Sequence, residues 1–429
     1  MRILLIATNQ TDRYMDRMAV RPVPVGLAYV AAHIDTTRHV LHVLDCMFAA
    51  DVRQEAAAAV QRFQPEVIGL SLRNLDNQSY LNPVWYLPAV RDLIDHLRSV
   101  CTATIVCGGP AFSILPLACF EYLMLDLGLA GDATASFARL VDCLESGKPY
   151  TDLPGLVYSE GGQTVVRQAH FTESFQTPPR LDLLDLRRYD KAGFGIGVVN
   201  KLAPYYYPTT DGKGQTTGEN WRWRPAAAVV EEVHRLQRDY GIRKVFFIDS
   251  GFNLPLHRAK ELCQALLQAG LRIRWNSYLQ PGECDAELVA LMRRAGCSLA
   301  LLQGTAGHAA EPAALGEHLD QLSRMTSLCH RGGLPFTLSM SFGTPGETRL
   351  TVEQKLAFLR QATPAFATLR VATRILPQTA LARQAIEEGV IRQEADLLRP
   401  TFYLVAGMRA WLVDHLRAAV ATQPRWHLL

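Results

Sequence analysis

An α/β fold in two parts follows from three features of the sequence. Short apolar runs alternate with longer stretches of helical periodicity over residues 1–150 and again over 191–385, the rhythm of strand and crossover helix that builds parallel sheets. Between them, residues 151–190 lose that rhythm and carry a Gly161-Gly162 turn and the pair Pro178-Pro179. Polar residues and glycines recur just after the apolar runs, at the strand ends where such sheets hold ligands. The expected architecture is a doubly wound domain over 1–150, a hairpin and linker arm over 151–190, a partial (β/α)6 barrel over 191–385 and a helical C-terminal cap over 386–429.

Composition fits that plan. With 429 residues, 48% of them hydrophobic and 20% charged, the chain can bury two ordinary cores. A net charge of +3 without a long basic run leaves no electrostatic footprint for nucleic acid. Met1-Arg2 precedes an apolar run too short for a signal peptide, and no apolar run reaches membrane-spanning length. The expectation is a cytoplasmic protein whose partners are small molecules, neither nucleic acid nor membrane. The nine cysteines, Cys46, Cys101, Cys107, Cys119, Cys143, Cys263, Cys284, Cys297 and Cys329, stand singly with no C-x2-C pair, as reduced core thiols do. Cys263, Cys284 and Cys297 share the second half, but their spacing is wider than metal ligands usually show.

In chain order, residues 2–7 read as a strand and 25–32 as a helix entered through Pro22 and Pro24. Strands over 39–44, 67–71 and 103–107 alternate with helices over 52–63 and 84–100, and a helix over 133–144 closes the domain. The loops after three of these strands stand out: the long polar stretch 8–23, Ser71-Leu72-Arg73-Asn74-Leu75-Asp76-Asn77, and Gly108-Gly109-Pro110-Ala111-Phe112-Ser113. A glycine pair at a strand end either lets a bulky ligand approach the backbone or simply makes a tight turn. From residue 155, apolar runs flank Gly161-Gly162 in the pattern of a hairpin.

The second rhythm has strands over 196–199, 244–249, 272–278, 298–302, 336–342 and 367–375, separated by amphipathic helices over 225–240, 258–269, 286–295, 318–331 and 351–362. Its strand ends carry Asp249, Ser250, Tyr278, Gln303, Thr305, Glu347 and Arg374. Asp249 and Glu347 each stand near a helix start, where helix capping is the alternative to ligand binding. His257, His308 and His330 lie in this half without forming a proton-transfer constellation.

The loops 71–77 and 108–113 together resemble the cobalamin-binding domain of cobalamin-dependent radical S-adenosylmethionine (SAM) proteins, in the branch that includes the tryptophan C-methyltransferase of thiopeptide biosynthesis. Phe246-Phe247-Ile248-Asp249-Ser250, Gly343-Thr344-Pro345-Gly346-Glu347-Thr348 and Arg374-Ile375-Leu376-Pro377-Gln378-Thr379 resemble the SAM-facing strand ends of the same family. Residues 397–403 and Pro424-Arg425-Trp426 resemble its C-terminal cap. The resemblance implies a Rossmann-like cobalamin-binding domain and a radical SAM-type partial barrel. It implies cobalamin contacts from Ser71, Arg73, Asn74, Asn77, Gly108, Gly109, Phe112 and Ser113. SAM contacts would come from Asp249, Ser250, Tyr278, Gln303, Thr305, Glu347 and Arg374. Many cobalamin domains have a histidine after the first strand as lower cobalt ligand; residues 8–23 contain none, so the implied corrin is base-off, with Arg73 or a neighbour near its lower face.

One departure decides the chemistry. After the first barrel strand the family carries C-x3-C-x2-C, and here those places are Ala203, Tyr207 and Thr210. Alanine offers no ligand, and tyrosine and threonine are poor replacements for soft thiolates. The expectation is therefore an enzyme with cobalamin and SAM but no 4Fe–4S cluster. Such an enzyme moves a methyl group from SAM through cob(I)alamin and methylcobalamin to a small molecule, such as a natural-product intermediate, by polar steps, with an external reductase as helper. Tyr205, Tyr206, Tyr207, Trp221 and Trp223 then fill the emptied space or line a substrate pocket, core packing being the alternative. Two other functions fit the same residues: a cobalamin-based radical catalyst that does not use SAM, and a non-catalytic cobalamin-binding partner protein.

Overall fold

The computed structural model describes residues 1–11, 15, 21–169, 177–192, 194–202, 222–249, 251–304 and 312–429. The chain divides into two compact units, Met1–Asn77 with Val84–Gly193 and Ala395–Pro400, and Gln78–Pro83 with Phe194–Glu394 and Thr401–Leu429. No helix among the described residues is long and apolar enough to cross a membrane.

In the first unit, strands β1 (Arg2–Ala7), β2 (Val40–Asp45), β3 (Val67–Ser71), β4 (Thr104–Gly108) and β5 (Leu127–Leu129) run parallel in the order β2-β1-β3-β4-β5. Every second side chain of a strand faces the same way, and both faces of this sheet are apolar. Ile3, Leu5, Val67 and Val106 join one core, which includes Leu27 and Ala31 of α1 (Val25–Ala32). Leu4, Ile6, Ile68 and Ile105 join the other, with residues of α2 (Val52–Phe63), α3 (Leu87–Val100), α4 (Pro110–Ile114) and α5 (Pro116–Leu123). Helix α6 (Ala133–Ser146) returns to the first core through Phe137, Leu140 and Val141. Because β1 lies between β2 and β3, the loops leaving β1 and β3 diverge at the carboxyl edge, the place where such sheets open a crevice.

The hairpin expected as part of an arm between domains is built into this sheet instead. Strands β6 (Leu156–Glu160) and β7 (Gln163–Val166) extend it antiparallel, with Leu127 paired to Tyr158. Leu156, Val157 and Tyr158 are buried there, and that burial makes the hairpin part of the domain. Helix α7 (Leu186–Ala192) then ties back through Tyr189, whose hydroxyl donates to Asp45 at 2.5 Å.

The second unit starts with β8 (Ile196–Val199), followed by the two-residue strands β9 (Lys201–Leu202) and β10 (Arg222–Trp223), which pair antiparallel. There follow α8 (Ala226–Tyr240), β11 (Lys244–Ile248), α9 (Leu256–Gln268), β12 (Arg274–Leu279), α10 (Ala286–Arg294), β13 (Cys297–Gln303), α11 (Pro312–Arg331), β14 (Phe336–Phe342), α12 (Arg349–Ala362) and β15 (Phe366–Val371). Short strands β16 (Thr373–Arg374) and β17 (Phe402–Tyr403) flank α13 (Ala380–Glu387), and α14 (Leu412–Ala421) leads to β18 (Trp426–Leu428). The expected C-terminal cap thus contributes a strand as well as helix: β18 pairs parallel with β15 and completes the order β8-β11-β12-β13-β14-β15-β18.

Alternation again sorts the side chains of this sheet. Val245, Phe247, Trp275, Leu279, Leu302, Leu338, Met340 and Phe342 are buried, on the side where α8, α10 and α12 pack. Phe247, Phe252 and Trp275 meet with ring centroids 4.9–5.7 Å apart, and each such pair adds about 0.5–1.5 kcal/mol beyond area burial. The intervening residues, among them Phe246, Ile248, Asn276, Tyr278, Gln303, Ser339 and Ser341, stay half-buried or exposed. That second face is the less buried of the two.

Candidate functional site

At the carboxyl edge of the first sheet, β1 and β3 are tied where their loops part: Thr8 donates from its backbone N–H and its hydroxyl to the Ser71 carbonyl, at 3.3 and 2.9 Å. The loop after Ser71 puts Arg73 in solvent, leaves Asn74 and Asn77 half-buried and buries Leu72, Leu75 and Asp76. With the Asn74 amide turned to suit its neighbours, it donates to the Arg73 carbonyl at 3.0 Å and accepts from the Arg73 guanidinium at 3.1 Å. Asn77 accepts from the Val84 N–H at 3.0 Å, closing a small turn under Trp85. That ring packs against Tyr122 at 4.9 Å and lies under the Arg399 guanidinium at 5.2 Å.

The next strand end separates fold from ligand edge. Gly109 has φ +99°, and a Cβ there would lie 2.5 Å from the Leu72 carbonyl oxygen; the close approach is of backbone to backbone. Phe112 is fully buried, against Gly128, whose added Cβ would lie 2.4 Å from the ring. The buried Ser113 hydroxyl donates to the Gly109 carbonyl at 2.9 Å and accepts from the Gly131 N–H at 2.8 Å. Of the residues implied for cobalamin, Arg73, Asn74 and Asn77 therefore offer polar groups on a surface loop. Ser71, Gly108 and Gly109 shape the strand ends, while Phe112 and Ser113 hold the turn from within.

In the second unit, the base of the loop after β8 is a two-rung ladder, Leu202 opposite Arg222 and Lys201 opposite Trp223. Two buried ion pairs pin it. Lys201 meets Asp249 at 3.0 Å, with both side chains at most 1% exposed, and its ammonium also donates to the carbonyls of Gly251 and Leu254. Asp249 accepts from the Gly251 N–H at 3.0 Å. Burial pushes Lys201 down and Asp249 up, and their mutual attraction opposes both shifts. Arg224 meets Glu232 of α8 at 2.7 Å and donates to the Val199 carbonyl at 2.8 Å; burial likewise raises Glu232. Trp223 lies beneath the Lys201 ammonium, 5.0 Å from nitrogen to ring centroid.

A third buried pair stands at the end of β14. Glu347 accepts from the N–H groups of Gly343 at 2.5 Å and Thr344 at 3.0 Å and pairs with Lys355 of α12 at 2.5 Å. Lys355, its value lowered by burial, also donates to the Ser341 carbonyl at 3.0 Å. Asp249 and Glu347 are thus wired into the scaffold beneath the strand ends. Neither caps a helix: Pro255 precedes α9, and Thr348 caps α12 by donating and accepting with Thr351. Tyr278 is 39% exposed and edges onto Phe246 at 5.7 Å. Gln303 is half-buried on the same face, and Arg374 donates to the carbonyls of Ile375 at 2.7 Å and Thr401 at 3.3 Å. Ser250, Thr305, Ala203, Tyr207 and Thr210 lie outside the described residues, as do Tyr205, Tyr206, Trp221 and His308.

Residue-by-residue reading of the sequence misses Lys201, Arg224, Glu232 and Lys355. A signal for two of them was present. Glu232 falls in the stripe Val229, Val233, Leu236 of α8, and Lys355 in the stripe Val352, Leu356, Leu359 of α12; an ionisable group on an apolar helix face needs a buried partner. His318 is another, sitting 2.6 Å from the Gly304 carbonyl with its value lowered by burial. His330 is taken up by the Ala362 carbonyl at 3.0 Å and the Phe336 ring, and His257 is exposed.

The thiols offer no ready ligand set. Burial pushes Cys297 up to about 12 and Cys284 up to about 11. Among the described residues, the group of side chains close enough to share a cation is His39, Asp142 and Glu145 in the first unit, where Arg38 already bonds both carboxylates.

With this geometry in view, residues 14–141 match the B12 binding domain family. The uncharacterized methyltransferase of Pyrococcus horikoshii is 24% identical over 401 residues, 91% of this chain and 84% of that protein. Tryptophan 2-C-methyltransferase of Streptomyces laurentii is 23% identical over 436 residues, covering 85% of this chain and 72% of that one. The solved structure of the radical SAM methyltransferase TsrM from Kitasatospora setae, with cobalamin and a 4Fe–4S cluster bound, superimposes with a TM-score of 0.82 at 20% identity over 100% of this chain and 93% of that one. The first unit thus carries the sequence pattern of a B12 binding domain, and the whole chain shares the fold of a cobalamin-binding radical SAM methyltransferase.

Proposed function

We propose that this chain is a cobalamin-dependent methyltransferase that uses SAM as methyl donor, works without an iron–sulfur cluster and acts on a small molecule by electron-pair steps. The observation that carries the reading is the likeness along the full chain to a methyltransferase whose structures hold cobalamin and, in another, tryptophan with a SAM analogue.

The residues present fit cobalamin. The divergence of loops between β1 and β3 supplies an edge, and Arg73, Asn74 and Asn77 supply polar groups on it. Residues 8–23 contain no histidine, which suits a base-off corrin. When bound, the corrin supplies a cobalt centre able to take a methyl group from a sulfonium and pass it to a nucleophile. In the second unit, the half-buried and exposed face from Phe246 to Ser341 supplies the surface on which SAM and substrate are oriented, and the buried pairs keep its strand ends rigid. The residues do not fit an iron–sulfur cluster: Cys143 and Cys263 are consecutive cysteines, so the loop after β8 has no thiolate to give. Reduction of the cobalt then falls to an external reductase.

The test uses protein loaded with cobalamin, a chemical reductant, SAM, and L-tryptophan as the first substrate probe. The expected result is S-adenosylhomocysteine that forms only when cobalamin is bound. Absence of S-adenosylhomocysteine together with no SAM binding by calorimetry overturns the reading.

A further inference from the structure

The less buried face of the second sheet has a polar corner, its residues half-buried except for the buried Thr368. Gln303 stands opposite Ser339, Ser339 opposite Thr368, and Ser341 opposite Arg370. Paired strands run about 4.8 Å apart and every second residue advances about 6.6 Å, so one small ligand can span the corner. Leu369 and Val371, the neighbours of Arg370, are buried on the opposite face, which turns Arg370 towards the ligand side.

Arg370 differs from the other arginines near the strand ends. Arg224 and Arg374 are held by carbonyls, whereas the half-buried Arg370 side chain makes no hydrogen bond or ion pair among the described residues. On β14 its partners, Ser341 and the Ser339–Thr368 rung below it, are neutral; on the β18 side Leu429 bonds the backbone of its neighbours, donating to the Leu369 carbonyl at 2.8 Å and accepting from the Val371 N–H at 2.9 Å. The nearby acid of the strand-end turn, Glu347, is already paired with Lys355. A half-buried guanidinium with five donors and no ion pair among the described residues is able to take an anion. A single planar fork flanked by hydroxyls and an amide suits a planar monoanion. A phosphate would call for a second cation or a nest of backbone amides.

We propose that Arg370 binds the carboxylate of an amino-acid ligand, with Ser341, Ser339 and Gln303 around it. The inference rests on reading the second unit as the SAM- and substrate-binding half. Two ligands there can bring such a carboxylate, SAM through its methionyl end and the substrate if it is an amino acid.

Calorimetry with two probe pairs separates them: SAM against decarboxylated SAM, and L-tryptophan against tryptamine, each on cobalamin-loaded wild type, Arg370→Gln and Arg370→Lys. In one pair the wild type should favour the carboxylate-bearing member by roughly tenfold or more. Arg370→Gln should bring that pair to near parity by weakening only the carboxylate-bearing member, with an unchanged thermal melt, and Arg370→Lys should fall between. Loss of preference in the SAM pair assigns the carboxylate to SAM, and loss in the tryptophan pair assigns it to the substrate. The inference is overturned, with the functional reading intact, if SAM binds and every preference survives Arg370→Gln or no preference exists in the wild type. If the wild type binds none of the four probes, both fall together.

Discussion

At Lys201 a charge with almost no water around it depends on one carboxylate and two carbonyls. Removing one partner of a buried pair strands the other, which costs about 3–5 kcal/mol, whereas replacing both with apolar groups is often close to neutral. Lys201→Met should therefore lower the unfolding free energy in urea by about that amount, and Lys201→Met combined with Asp249→Leu should recover most of it. An unchanged midpoint for the single variant would contradict the pairing. His318 sets a pH dependence of its own. Its folded-state value lies below the ordinary 6.5 because burial disfavours the imidazolium, so as pH falls through 6.5 the unfolded chain takes up a proton that the folded chain refuses. Stability should fall as pH drops below 6.5 and level off once the folded value is passed. His318→Gln, which can still donate to the Gly304 carbonyl, should flatten that slope in melts recorded across the range.

At the scale of elements, the turn from β4 into α4 is set by backbone contact. An added Cβ at Gly109 meets the Leu72 carbonyl at 2.5 Å with φ at +99°, so Gly109→Ala should cost about 1–3 kcal/mol and lower the melting temperature even without cobalamin. If Gly109→Ala melts like wild type and loses only cobalamin affinity, the glycine serves the ligand instead. Most of the elements were legible in the sequence because they combine a period with a boundary. The strands at residues 2–7 and 67–71 are apolar runs, the strand at 336–342 alternates apolar and hydroxyl residues, and most of the helices between them carry one apolar stripe. Leu127–Leu129 and Trp426–Leu428 were not legible, since three residues are too few to show alternation. The hairpin was visible as a hairpin, but its place on the edge of the first sheet depends on pairing with β5, which local sequence does not record. The candidate site divides the same way. Strand-end loops announce themselves by their polarity, whereas the pairs Lys201–Asp249 and Arg224–Glu232 join separate elements and become visible only when the sheet is assembled.

For the whole molecule, the proposal joins a two-cofactor fold to a loop without thiolates. Ala203, Tyr207 and Thr210 are sequence facts, and so is the absence of cysteine from residues 144–262; the solved structure whose fold the chain shares holds a 4Fe–4S cluster, so the proposed displacement chemistry rests on that difference in sequence. The most direct measurement is iron and acid-labile sulfide per chain after anaerobic reconstitution, made on protein that turns SAM over. S-adenosylhomocysteine is expected as the nucleoside product, with iron far below one cluster per chain. About four iron atoms per chain, the content of one 4Fe–4S cluster, accompanied by 5′-deoxyadenosine, would contradict it.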